Sequence, residues 1–229
     1  MSERSRVPGS GKRGANEQPD TITLYTWTTP NGRKISIALE EMGLQYACVA
    51  VDITRDEQFT PAFGQISPNS KIPVIVDGER RVFESGAILL YLGAKTGRFM
   101  PAYASPAYWE MMQWLMWQMS GFGPTLGQAH HFLHYEPGTS AYSETRYRDQ
   151  TVQLYHVLDR RLASHEFILD SMTIADFAVW PWASRFGYHD VDLRAFPHVA
   201  RWYLQLAARP AFQRGYTRPL DVGPIPLPD

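Results

Sequence analysis

The stretch best equipped for chemistry is Thr28-Thr29-Pro30-Asn31, where a strand-like pattern gives way to a helical one. Unpaired main-chain N–H groups at a helix start, with two hydroxyls and a carboxamide beside them, make a site for an anion. A thiolate is one anion such a site can hold. An ordinary capped helix start contains the same residues. The lone cysteine, Cys48, excludes an intrachain disulfide framework and a CxxC redox pair. It lies in Tyr46-Ala47-Cys48-Val49-Ala50-Val51, a strand-like run with no charged neighbour to lower its pKa, and reads as a buried structural thiol. His130 and His134 have a spacing that can put two metal ligands on one helical face. No acidic or cysteine ligand accompanies them, so no metal site is expected. Arg146 and Arg148, taken alone, read as solvated surface.

These residues must be positioned by the elements around them. Ile22 and Leu24 alternate with Thr23 and Tyr25, which predicts a strand over 21–26. Ile35, Ala38, Leu39 and Met42 recur at helical spacing, which predicts a helix over 32–42 with Pro30 in its first turn and a stop at Gly43. A strand over 46–51 completes a β-α-β unit with a right-handed crossover. Residues 52–70 read as mostly irregular, with a short helix or loop around Gln58-Phe59 and Pro61. Val74 to Val76, the turn Asp77-Gly78 and Arg81-Val82-Phe83 form a hairpin. Glu84-Ser85-Gly86 opens a helix ending at Gly97, with Ser85 as its N-cap.

Beyond a proline-bearing linker over 98–106, the whole pattern is helical. The helix over 107–120 is apolar almost all round (Tyr108, Trp109, Met111, Met112, Trp114, Leu115) and needs cover on several sides. A second helix runs over 142–163 on a stripe of Leu154, Leu158 and Leu162. Thr173-Ile174-Ala175-Asp176 has the form of a capping box, and Pro181 should kink the helix that follows. A last helix is expected from Phe196-Pro197 to Arg209-Pro210, with an extended tail from Tyr216.

Composition bounds the function. The 229 residues are 44% hydrophobic and 20% charged with a net charge of −1, so there is no electrostatic footprint for nucleic acid or an anionic membrane. The longest apolar run, Gly86 to Ala94, is too short to span a bilayer. Residues 1–20 are polar and lack the apolar core of a signal peptide, so they read as a flexible tail on a cytoplasmic protein.

A small α/β unit followed by an all-helical one resembles the glutathione transferases, with a thioredoxin-like domain over 21–97 and a helical bundle over 107–215. Ile72-Pro73-Val74 resembles that family's cis-proline loop, Glu84-Ser85 its Glu/Gln-Ser pair, and Thr173 to Asp176 the capping box of its core helix. Thr-Pro-Asn-Gly at 29–32, Ile-Ser-Pro-Asn at 66–69 and the run over 84–92 are similar to the Nu class. So are Trp-Leu-Met-Trp-Gln-Met at 114–119 and Gly-Gln-Ala-His-His at 127–131. The resemblance implies a homodimer that binds glutathione, as the thiol or its disulfide, and reduces disulfides without a protein cysteine. It also implies action on organic hydroperoxides; conjugation of electrophiles, or regulatory glutathione binding without catalysis, are the alternatives. Thr29 and Asn31 would activate the thiol, with Tyr25 as the fallback. Thr28, Gln58 and Lys71 would line the pocket, and Ile72 ahead of a cis Pro73 would pair with the cysteinyl unit. Glu84 and Ser85 would hold the γ-glutamyl end, and Arg146 would reach a carboxylate from the helical domain.

Overall fold

The protein is described by a computed structural model over residues 21–228, so the tail expected over 1–20 lies outside the described residues. Strand β1 (Ile22–Thr26) leads into helix α1 (Pro30–Met42), then β2 (Tyr46–Ala50), single 3₁₀ turns at Ile53–Arg55 and Glu57–Phe59, and the short α2 (Pro61–Gly64). The hairpin β3 (Val74–Asp77) and β4 (Arg80–Phe83) passes directly into α3 (Ser85–Thr96). The sheet order is β2-β1-β3-β4, with β1 and β2 parallel and the other pairs antiparallel. The β-α-β and β-β-α order read from the sequence is therefore the one observed. The Ile72–Pro73 peptide bond is cis.

Helix α1 starts one residue beyond Thr29, whose hydroxyl accepts the Gly32 N–H at 3.2 Å, and Pro30 occupies the first turn. Gly43 ends it in the left-handed conformation, at φ 68°. Within α1 only Asn31 and Glu40 escape full burial. Gly32 is required by packing: a Cβ there would stand 2.3 Å from both the Thr26 hydroxyl and the Trp27 carbonyl oxygen.

The helical half begins with α4 (Pro106–Trp117), which does not end near residue 120. It continues through a π-helical segment Gln118–Phe122 into α5 (Gly123–Ala129) and a second π segment, His130–Tyr135. Pro124, which has no N–H to donate, sits where the first π segment hands over, and a widened turn accommodates it. Next come α6 (Ala141–Leu162), α7 (Ile174–Ala183), α8 (Pro197–Ala207) and α9 (Pro210–Tyr216). The helix ending at Ala207 is thus not the last, because Pro210 starts another rather than ending the helical region.

Thr173 and Asp176 form the expected capping box at the head of α7. Asp176 also accepts from the Ile168 N–H at 3.0 Å and the Trp202 indole N–H at 2.9 Å, so one buried carboxylate ties three segments together. Leu24, Ile37 and Leu39 share one continuous core with Phe177, Trp180 and Phe212. Both halves of the chain therefore close over α1.

Candidate active site

A cleft of about 150 Å³ opens at the start of α1, against the segment before β3 and the head of α3. Of the residues singled out in the sequence, Asn31, Lys71, Ile72, Pro73, Glu84 and Ser85 line it. Ser67, Asn69, Phe83 and Met119 complete the walls. The Ser67 hydroxyl accepts the Lys71 N–H at 3.0 Å and donates to the Lys71 carbonyl at 2.8 Å, which pins the loop entering Ile72. The main chain of Ile72 has no partner among the described residues and is open to pairing.

Glu84, not Ser85, is the N-cap of α3. It does this without a side-chain capping bond, at φ 67° and ψ 116°. A non-glycine residue held there stores about 1–3 kcal/mol of strain, a pattern that clusters at binding sites. The Ser85 hydroxyl consequently does not cap. It accepts from Lys34 Nζ at 3.3 Å and lies 3.7 Å from the thioether sulfur of Met119. A weak sulfur acceptor is all that holds its proton, so an incoming carboxylate can take that place.

Asn31 is oriented from below. The Trp182 indole N–H donates to Asn31 Oδ1 at 3.0 Å. An indole N–H can only donate, so the carboxamide must turn its oxygen to Trp182 and keep both amide hydrogens for other acceptors. Arg185 donates to the Thr28 carbonyl at 3.0 Å and fixes the loop entering α1. Thr29 spends an oxygen lone pair on the Gly32 N–H, which leaves its hydroxyl hydrogen available as a donor.

Other expected residues lie elsewhere. Thr28 and Thr29 frame the helix start but do not line the cleft itself. Gln58 stands in the 3₁₀ turn at 57–59, with its Oε1 buried and unpartnered among the described residues. Arg146 is exposed on α6 and donates to the Tyr142 hydroxyl at 3.2 Å. The ring of Tyr25 packs towards Phe63, at 6.4 Å between centroids. Cys48 is only half-buried on the edge strand β2, and desolvation raises its thiol pKa although Arg218 pulls the other way. It belongs to a separate cavity shared with Glu40 and Arg218.

His130 stacks on His189 and Trp182, with centroids 4.5 and 5.4 Å away. Burial, with nearby Arg185, drives its pKa down to about 3, so the ring is neutral packing. Lys34, Gln118, Met119 and Trp182 were given no site role by the sequence, although Gln118 and Met119 close the motif over 114–119. The one available signal was Lys34, which precedes Ala38 by a helical turn and so falls on the apolar face of α1.

The chain matches two family models, the glutathione S-transferase N-terminal domain over residues 20–94 and the glutathione S-transferase C-terminal domain over residues 123–210. It is 45% identical over 198 residues to the disulfide-bond oxidoreductase YfcG of Escherichia coli, covering 83% of this chain and 92% of that protein. A glutathione transferase from Burkholderia graminis, solved with two glutathione molecules bound per subunit, superposes with a TM-score of 0.84 at 39% identity. That match covers 90% of this chain and 91% of the other. One from Pseudomonas putida, solved with one glutathione disulfide bound per subunit, gives 0.82 at 37% identity over 90% and 94% of the two chains.

Proposed function

Because the chain belongs to the glutathione S-transferase family, we propose that it is a glutathione-dependent disulfide-bond reductase whose nucleophile is the sulfur of bound glutathione. The observation that carries this reading is the oriented carboxamide of Asn31, presented at a helix start with no cysteine in the cleft. Glutathione would lie along Ile72, with its γ-glutamyl end at Glu84 and Ser85 and its sulfur at the head of α1. Lys71, Thr28 and Gln58 would line its pocket, and Arg146 would reach one of its carboxylates from the helical half. The net reaction is two glutathione thiols and one disulfide giving glutathione disulfide and two thiols. The division into a glutathione-binding unit over 21–97 and a helical unit over 107–215 is part of the same proposal, as is a location in the glutathione-rich cytoplasm. No described helix is long and apolar enough to cross a membrane.

The energetics suffice without a protein nucleophile. Lowering a thiol from about 8.5 by about two units needs roughly 2.7 kcal/mol in favour of the thiolate. The helix start contributes about 0.3–2 kcal/mol. A hydrogen bond from Thr29 or Asn31 to the charged sulfur adds roughly 1.5–3 kcal/mol.

The test is glutathione-dependent reduction of hydroxyethyl disulfide, run beside conjugation of chlorodinitrobenzene. Thr29→Ala or Asn31→Ala should lose at least about tenfold, equivalent to roughly 1.4 kcal/mol, while Cys48→Ser should keep most of the disulfide activity. A folded Cys48→Ser protein without turnover would overturn the cysteine-free mechanism. Conjugation without disulfide reduction would make the chain a conventional transferase.

We also propose a homodimer. Trp109 and Met116 on α4 are 53% and 45% exposed, and Phe83 on the edge strand β4 is 42% exposed. These exposed apolar side chains support that reading.

A further inference from the structure

Lys34 is a buried cation whose hydrogen-bond partners are all neutral. It is 1% exposed within α1, and its Nζ meets Gln118 Oε1 at 2.7 Å, Ser85 Oγ at 3.3 Å and Met119 Sδ at 3.5 Å. Two of those partners, Ser85 and Met119, are walls of the cleft. Lys34 therefore sits one side chain beneath the ligand surface, without contact to the cleft itself.

The surrounding elements offer little counter-charge. From the head of α3, Glu84 acts on Lys34 and favours its charged form, but less strongly than burial opposes it. The π segment after α4 brings only Gln118 and Met119. On α7, the Asp176 carboxylate is occupied by Thr173, Ile168 and Trp202. On α9, Arg214 is paired with Glu40, while Arg209, just before it, is paired with Glu41.

We propose that Lys34 is the counter-charge for the ligand carboxylate seated on Ser85, and that binding this carboxylate draws a proton from solvent onto Lys34. The inference rests on the glutathione reading of the cleft. In the ligand-free chain, burial lowers the Lys34 pKa from its ordinary value to about 7. A carboxylate arriving at Ser85 brings negative charge within reach of Nζ, and an opposite charge close by favours the protonated form. Glu84 is meanwhile matched by the ligand's own amine. Glutathione then binds as a carboxylate plus one solvent proton, and Lys34 acts through Ser85 as a positioning charge.

The experiment is titration calorimetry with S-methylglutathione, which has no thiol proton to release, in buffers of different ionisation enthalpy at pH 7.0–7.5. The wild type should take up roughly half a proton or more per chain, set by a group titrating near about 7. Lys34→Arg, which is charged with or without ligand, and Lys34→Met, which cannot titrate, should bind without uptake. Binding to wild type without uptake, or uptake that persists in Lys34→Met, overturns the inference. If S-methylglutathione fails to bind wild type at all, the glutathione reading itself is what fails.

A second measurement needs no ligand. Lys34 holds its proton less tightly folded than unfolded, so above pH 7 the unfolded chain binds more protons, and stability rises with pH from about 7 towards the ordinary lysine value. The melting temperature of the ligand-free wild type should therefore climb between pH 7 and 9 relative to Lys34→Met. Parallel profiles would overturn the assignment.

Discussion

Asn31 owes its orientation to a residue far along the chain. Because Trp182 fixes Oδ1, the amide hydrogens are committed to the cleft before any ligand arrives, and no reorganisation is needed to meet a thiolate. Trp182→Phe keeps an aromatic side chain but removes the indole N–H that holds Asn31, together with part of the bicycle. It should let the carboxamide turn and shift the ascending limb of the pH–rate profile upward by roughly half to one unit, with the loss recovered at high pH. A lower rate with an unshifted limb would reduce Trp182 to packing. At this scale the sequence exposed the chain's polar punctuation, Thr29, Asn31, Glu84 and Ser85. It hid the groups that aim them, because a tryptophan in an apolar run or a lysine in a helix has an ordinary reading, and only the tertiary contact changes it.

Among the elements, α1 carries the most constraint. Its start is pressed so closely on the end of β1 that Gly32 has no room for a methyl group. Gly32→Ala should therefore destabilise the fold by about 1–3 kcal/mol, the scale of core overpacking, although alanine is the better helix former. Thermal unfolding checks this, and an unchanged melting temperature would mean the turn at Trp27 relaxes at little cost. The order of strands and helices through α3 was legible because strand alternation and helical spacing are local patterns. The π segments were not, since Gly121, Gly123, Pro124 and Gly127 read as breaks in the run over 118–135, whereas its continuation through widened turns depends on packing against α7. Ser85 was assigned a capping role for the same reason: cap preference is local, whereas its contact with Lys34 is not.

For the whole molecule, the exposed apolar side chains of α4 and β4 are the ones the proposed homodimer would cover. Sedimentation at micromolar concentration should show a species near twice 26.1 kDa, with an interface on the order of 2,000 Å² or more. Replacing Met116 with arginine should shift that species towards the single chain, because a charge in a desolvated apolar contact is left unpaired. A wild type that runs only as a single chain would reject the dimer. The apolar character of α4 was plain in the sequence, but which side it leaves uncovered was not.

The burial of α1 has one more consequence. Gly215 of α9 lies so near α1 that a Cβ on it would come within 2.6 Å of the Ile37 backbone, so the last helix is keyed directly onto the first. A gene severed in the connection over 98–105 would yield one piece with α1 stripped of its outer cover and another with α7 and α9 closing on nothing. Neither half is equipped to stand alone, yet each carries the surface the other lacks. The chain thus has the makings of a split reporter, in which recovered turnover signals that two fused baits have met.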